Sequence, residues 1–177
     1  MSKLRKGMMK LSKPIVFKNI FNIFDDNRGF LSTLDIQKLL NKIPDSKFNF
    51  AYQLLSFSEK KHTFRGMHYQ EKPFAQNKLI LVHQGTIIDL VIDLDDKEID
   101  TVLRFEITAG DAILVPKNYA HGFVSLTDNV LMQYFMDNKF SQEDYKGFNI
   151  TSYLETEFPE LDLIISDKDR NLISHKS

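Results

Sequence analysis

A chain of 177 residues that is 42% apolar and 27% charged fits one globular domain, large enough for a core of its own. A formal net charge of −1 gives no general pull toward nucleic acid or a membrane surface, and no run approaches roughly 18 apolar residues. With no cysteine, disulfides, thiolate metal sites and cysteine nucleophiles are excluded. The basic start "MSKLRKGMMKLSK" lacks the apolar stretch of a secretion signal, so the cytoplasm is the expected location and residues 1–12 read as flexible.

In chain order, "PIVFKNIFNIF" reads as a strand and "DDNRG" as a turn. Leu34, Leu39, Leu40 and Ile43 stand near helical spacing, which predicts one short helix ended by "IPDSK". From there to about residue 136 the runs "FNFAYQLLSFS", "TFRGMHYQ", "KLILVHQG", "TIIDLVIDL", "TVLRFEIT", "AILVP", "HGFVSL" and "NVLMQYFM" all read as strands. Turn-rich breaks such as "EKPFAQN" and "TAGD" separate them. So many short strands with little helix between them predict a mainly β sandwich or barrel, and fifteen Phe fit its core. Residues 141–177 are mixed and polar, and "FPELDLIISDKDRN" reads as a tail packed over the barrel. There is no repeat or linker, so residues 1–177 form one expected domain.

Five histidines carry the first hints of chemistry. His62 and His175 lie among charged or terminal residues and read as solvated, and His83, closing a strand, reads as structural. His68 and His121 each sit in a strand-like run beside a glycine, where a ligand can approach the backbone closely. A metal on this framework would want a second ligand two residues after His68, but Gln70 stands there, and a carboxamide is a poor ligand for transition metals. Taken alone, a histidine in a strand is more often a packed residue than a catalytic one.

The segments "FRGMHYQEKPFAQNKL", "GTIIDLVIDL", "LVPKNYAHGF", "QYF" and "ISDKD" together resemble the dTDP-4-dehydrorhamnose 3,5-epimerase family, in order and spacing, from about residue 26 to residue 170. The resemblance implies a cupin jelly roll with a few short helices, a homodimer, and epimerisation beside the ketone of a nucleotide-linked sugar without metal or cofactor. It matches His68 to the catalytic base, Asp169 to its orienting carboxylate, Tyr134 to the acid on the opposite face and Lys78 to the group near the enolate oxygen. It matches Arg65 and His121 to the sugar and pyrophosphate pocket, Asp89 to a buried carboxylate of that pocket, and Arg28, Phe30 and Gln53 to nucleotide contacts.

These residue types suit the chemistry. An imidazole is the natural base near neutral pH, and a partner carboxylate fixes its tautomer. An ammonium steadies an enolate, a phenol can protonate a carbanion, and a guanidinium binds oxyanions through its planar fork.

The chain also departs from the family pattern. Leu55 replaces an asparagine, Thr33 a glutamate, Asp95 an arginine and Phe140 a second tyrosine, and the family's tryptophan-containing segments are absent. These changes spare the proton-transfer set and fall on the nucleotide and substrate periphery. GDP- or CDP-linked and longer sugars therefore stay open as substrates. So do a 3,4-ketoisomerase, which typically carries a second histidine near the first, and a non-catalytic sugar-binding cupin.

Overall fold

The computed structural model describes residues 11–43, 48–95 and 101–173. Its elements run β1 (Ile15–Phe17), β2 (Asn22–Asp26), β3 (Gly29–Thr33), α1 (Ile36–Leu40), β4 (Tyr52–Ser58), β5 (Thr63–Gln70), β6 (Lys78–Gln84) and β7 (Thr86–Asp93). There follow β8 (Leu103–Thr108), β9 (Ala112–Val115), β10 (Tyr119–Ser125), β11 (Val130–Met136), β12 (Tyr145–Gly147), α2 (Thr151–Glu157), β13 (Ile164–Ile165) and α3 (Asp167–Arg170).

Two sheets face each other. One runs β1-β9-β6-β11-β4. The other runs β12-β5-β10-β7-β8, with β13 lying parallel to the Thr63 end of β5. Ile80 and Met132 from the first sheet and Ile87 and Phe123 from the second meet in one buried cluster, the inside of a cupin jelly roll. Both sheets are also covered over part of their outer faces, which explains the continuous apolar runs of the central strands. In β6, Ile80 and Val82 point into the barrel, while Leu79 and Leu81 point out toward Phe17, Leu39 and Ile43. On the other outer face, Phe158, Leu161, Leu163 and Ile165 of the C-terminal segment cover Phe64, Met67 and Leu90.

The expected strand "PIVFKNIFNIF" is broken in two. Asn19 turns with a φ of +51°, and Asp111 holds that turn by accepting from the Asn19 backbone N–H at 3.0 Å and from Lys18 Nζ at 2.8 Å. Beyond it, β2 and β3 form a separate hairpin, exposed along its whole length. The helix read over "TLDIQKLLNKI" is shorter, five residues capped by Asp35, whose carboxylate accepts from the Lys38 N–H at 2.9 Å. α2 lies in a stretch that gave no helical expectation, because it buries a single side chain, Leu154. His62, expected to be solvated, is half-buried in a turn with a φ of +61°, its backbone bonded to Ser125 and Ile164. His175 lies outside the described residues.

Candidate active site

The site begins with a break in β-sheet periodicity. Along a regular strand, residues three apart face opposite sides. Arg65 and His68 nevertheless line the same cavity. The pairing of β5 with β10 explains this: His68 is opposite His121 and Arg65 is opposite Phe123, so three steps on one strand match two on the other. This is a β-bulge, and Gly66 makes it. Its φ is +144°, and a Cβ there would come within 2.5 Å of the Gly122 Cα. Only glycine fits both the angle and the approach.

His68 Nε2 lies 2.8 Å from Asp169 Oδ1. Asp169 comes from the far end of the chain, and its place is fixed three times over. Ser166, the N-cap of α3, accepts from the Asp169 N–H at 3.1 Å, and β13 pairs just before it along β5. Asp169 Oδ2 also accepts from the Gly66 N–H at 3.3 Å, so the bulge and the carboxylate support each other. With Nε2–H donated to Asp169, the lone pair of His68 is on Nδ1.

Tyr134 stands on the other sheet, in β11, paired with Leu54 and Ile80. Its ring meets that of His121 edge-on at 5.9 Å. His121 Nε2 is 2.7 Å from Asp89 Oδ2, a second imidazole–carboxylate pair, fully buried. Asp89 therefore supports His121 from behind and does not line the cavity. Its Oδ1 is the one buried side-chain N or O atom without a partner among the described residues. Lys78, at the start of β6, reaches across to donate from Nζ to the His68 carbonyl at 2.8 Å.

Burial sets the protonation states. Desolvation lowers the pKa of His68 despite the opposing pull of Asp169, so the imidazole is neutral at pH 7. Burial alone would raise the Asp169 carboxyl, but hydrogen bonds from His68 and Gly66 hold it below its ordinary value. Desolvation brings Lys78 down to about 8, with Asp89 working against the fall. Asp89 itself is pushed up by burial, with His121 and Lys78 opposing. Burial, then the Asp89 charge, raises Tyr134 well above an ordinary phenol, so it holds its proton.

Arg65, His68, Lys78, His121, Tyr134 and Asp169 all border one cavity of about 400 Å³. A larger hollow of about 790 Å³, bordered by Glu71, Lys72 and Lys117, contains none of these six. Arg65 is held at the cavity by donating to Ser58 Oγ at 3.3 Å and to the Phe57 carbonyl at 3.1 Å. Three expected residues stand apart within the single chain. Arg28 and Phe30 are on the exposed β2–β3 hairpin, where Arg28 pairs with Asp26 at 2.6 Å. Gln53 alternates with the lining residues Tyr52 and Leu54 and so faces outward from β4. Two further lining residues have no role read from the sequence: Tyr145, which carries no signal, and Lys168, which lies within the "ISDKD" segment. Gln70, placed where a metal ligand would be wanted, instead donates to the Phe74 carbonyl at 2.6 Å. His83 bonds Gln133 at 3.1 Å and stacks near Phe21, away from the cavity.

The model of the dTDP-4-dehydrorhamnose 3,5-epimerase family matches residues 10–177. The chain belongs to this family. A family relative from Shigella flexneri, named for the same activity, is 29% identical over 154 residues, 84% of each chain. One from Sinorhizobium fredii is 30% identical over 131 residues, covering 70% of this chain and 65% of the relative. Among solved structures, the Bacillus anthracis epimerase with TDP and PPi bound superposes with a TM-score of 0.73 at 30% identity, covering 91% of this chain and 93% of that one.

Proposed function

We propose that this protein is a cytoplasmic, homodimeric epimerase that inverts C3, C5 or both on a 4-keto-6-deoxy sugar carried by a nucleoside diphosphate. One observation carries the reading: a neutral imidazole held by a carboxylate and a protonated phenol stand on opposing sheets of one cavity. In this mechanism His68 Nδ1 takes the proton from a carbon beside the ketone, and the C–H electrons move to the ketone oxygen. Lys78, charged below about pH 8, donates to that enolate oxygen. The Tyr134 hydroxyl then protonates the carbon from the other face, and solvent returns the phenolate and the imidazolium to their starting states. A non-catalytic cupin would have no need of this arrangement.

Arg65 and the exposed Lys168 give the cavity mouth cations for a diphosphate. The homodimer is supported by apolar side chains that a single chain leaves in water. Phe24, Phe30 and Leu31 on the hairpin are 59%, 69% and 64% exposed, and Leu55 on β4 is 67% exposed. Arg28, Phe30 and Gln53 would then contact the nucleotide bound by a second copy.

The test is NMR in deuterated water with a panel of dTDP-, GDP- and CDP-linked 4-keto-6-deoxy sugars. Deuterium is expected at C3, C5 or both, with inverted configuration in the product. Absence of exchange across the panel would overturn the proposal.

A further inference from the structure

Tyr145 lies against the proton-transfer set without belonging to it. Antiparallel pairing with Gln70 fixes its backbone on the edge of β5, and Gly147, two residues on, is opposite His68. Its ring is held on three sides: His68 at 5.2 Å between centroids, Phe140 at 5.6 Å, and Lys168 Nζ at 4.6 Å over the ring. The hydroxyl, by contrast, has no hydrogen-bond partner among the described residues, and it is not one of their buried unpaired atoms. It therefore opens on space. Burial, then the Asp169 charge, raises its pKa, so it remains a donor. Tyr145 and Tyr134 line one cavity from opposing sheets.

A phenol on the base's own wall cannot deliver a proton to the opposite face of the sugar. What it offers is a fixed donor beside His68, and fixed donors set how a bound ring lies over the base. We infer that Tyr145 is a positioning residue that determines specificity: its hydroxyl hydrogen-bonds a sugar substituent on the His68 side and selects which carbon beside the ketone faces the base. This rests on the epimerase reading above.

Tyr145→Phe tests it, since the ring packing stays and only the hydroxyl is lost. Exchange at C3 and at C5 would be followed by NMR in deuterated water with dTDP-4-dehydro-6-deoxyglucose, and dTDP binding by calorimetry. The ratio of the two exchange rates should change by about fivefold or more, the range for losing one hydrogen bond, while dTDP affinity holds. If the unmutated protein exchanges one carbon alone, the variant should begin to exchange the other. An unchanged pattern in an active variant would overturn this assignment and leave the epimerase reading intact. Equal loss at both carbons with weaker dTDP binding would overturn it too, by making Tyr145 a general part of the cavity wall. An unmutated protein that exchanges neither carbon would overturn both readings.

Discussion

His68 and His121 are direct register partners across β5 and β10, yet each imidazole is held by its own carboxylate, Asp169 for one and Asp89 for the other. The two pairs differ in setting. His68 is partly open to the cavity with Tyr145 at its side, whereas His121 is 5% exposed and sits under Tyr134. Neighbouring positions on one sheet thus carry two histidines in different settings: both border the cavity, but the more accessible one suits the proton abstraction proposed above, and the more buried one packs against Tyr134.

The division predicts the outcome of removing either member of the first pair. His68→Asn should abolish solvent exchange at both carbons. Asp169→Ala should lower exchange by about 10²-fold or more, the scale of general-base catalysis, because the imidazole loses its fixed tautomer and the Gly66 N–H loses its acceptor. Full exchange in His68→Asn would remove it from the role of base.

The bulge predicts a stability effect at a residue that does not line the cavity. In Gly66→Ala the new Cβ would meet the Gly122 Cα at 2.5 Å, backbone against backbone, at a φ of +144°. Chemical denaturation should show a loss of more than about 3 kcal/mol, or no folded protein at all. Gly110→Ala is the control, because its φ is +95° but nothing lies within 4 Å of its added Cβ. It should cost clearly less. Equal losses would mean that the strained angle and not the close approach makes glycine necessary.

Two groups set the expected pH profile. The base works when neutral, and burial lowers His68 below its ordinary 6.5, so the acid limb of kcat/KM should fall below that pH. The amine works when charged, and Lys78 sits at about 8, so activity should decline as pH rises through that value. Lys78→Arg keeps a cation that does not titrate in this range, and whatever activity remains should lack the alkaline limb. A limb unmoved at about 8 in that variant would assign it to another group.

Prolonged chelation should leave the exchange rate unchanged. The reason is the donor set: Asp169 engages His68 Nε2, and Gln70 turns its amide to the Phe74 carbonyl. Loss of activity restored by zinc, iron or manganese would return His68 to the role of ligand.

How far the sequence reveals this site depends on the distance over which each feature is encoded. The run "TFRGMHYQ" marks β5 end to end, because β propensity is local. Its bulge is invisible in the same residues, since it depends on Gly122 approaching from another strand. Asp169 is 101 positions from His68, and only a family pattern connects them; in isolation it is one charge among several in "SDKDR". Tyr145 lies in the polar stretch "SQEDYKG", with no period to mark it as part of a cavity, and the tertiary fold alone gives it neighbours. The hairpin misleads in the opposite sense: Ile23, Phe24, Phe30 and Leu31 have the composition of a core, but one chain leaves them in water.

Tyr134→Phe separates the two halves of the reaction. The ring is buried against His121, and Phe keeps that packing, so stability should change little. His68 and Asp169 are untouched on the opposing sheet, so deuterium should still enter the sugar from the His68 face. With no proton donor on the Tyr134 side, however, the enolate is reprotonated on the face it came from, and the substrate returns with its original configuration. Exchange therefore reports the base and net inversion reports the acid. The variant should retain exchange within about tenfold while inversion falls by about 10²-fold or more, the contribution expected of a positioned acid. Equal loss of both would make Tyr134 a substrate-positioning residue, and normal inversion would mean that water or another side chain supplies the proton.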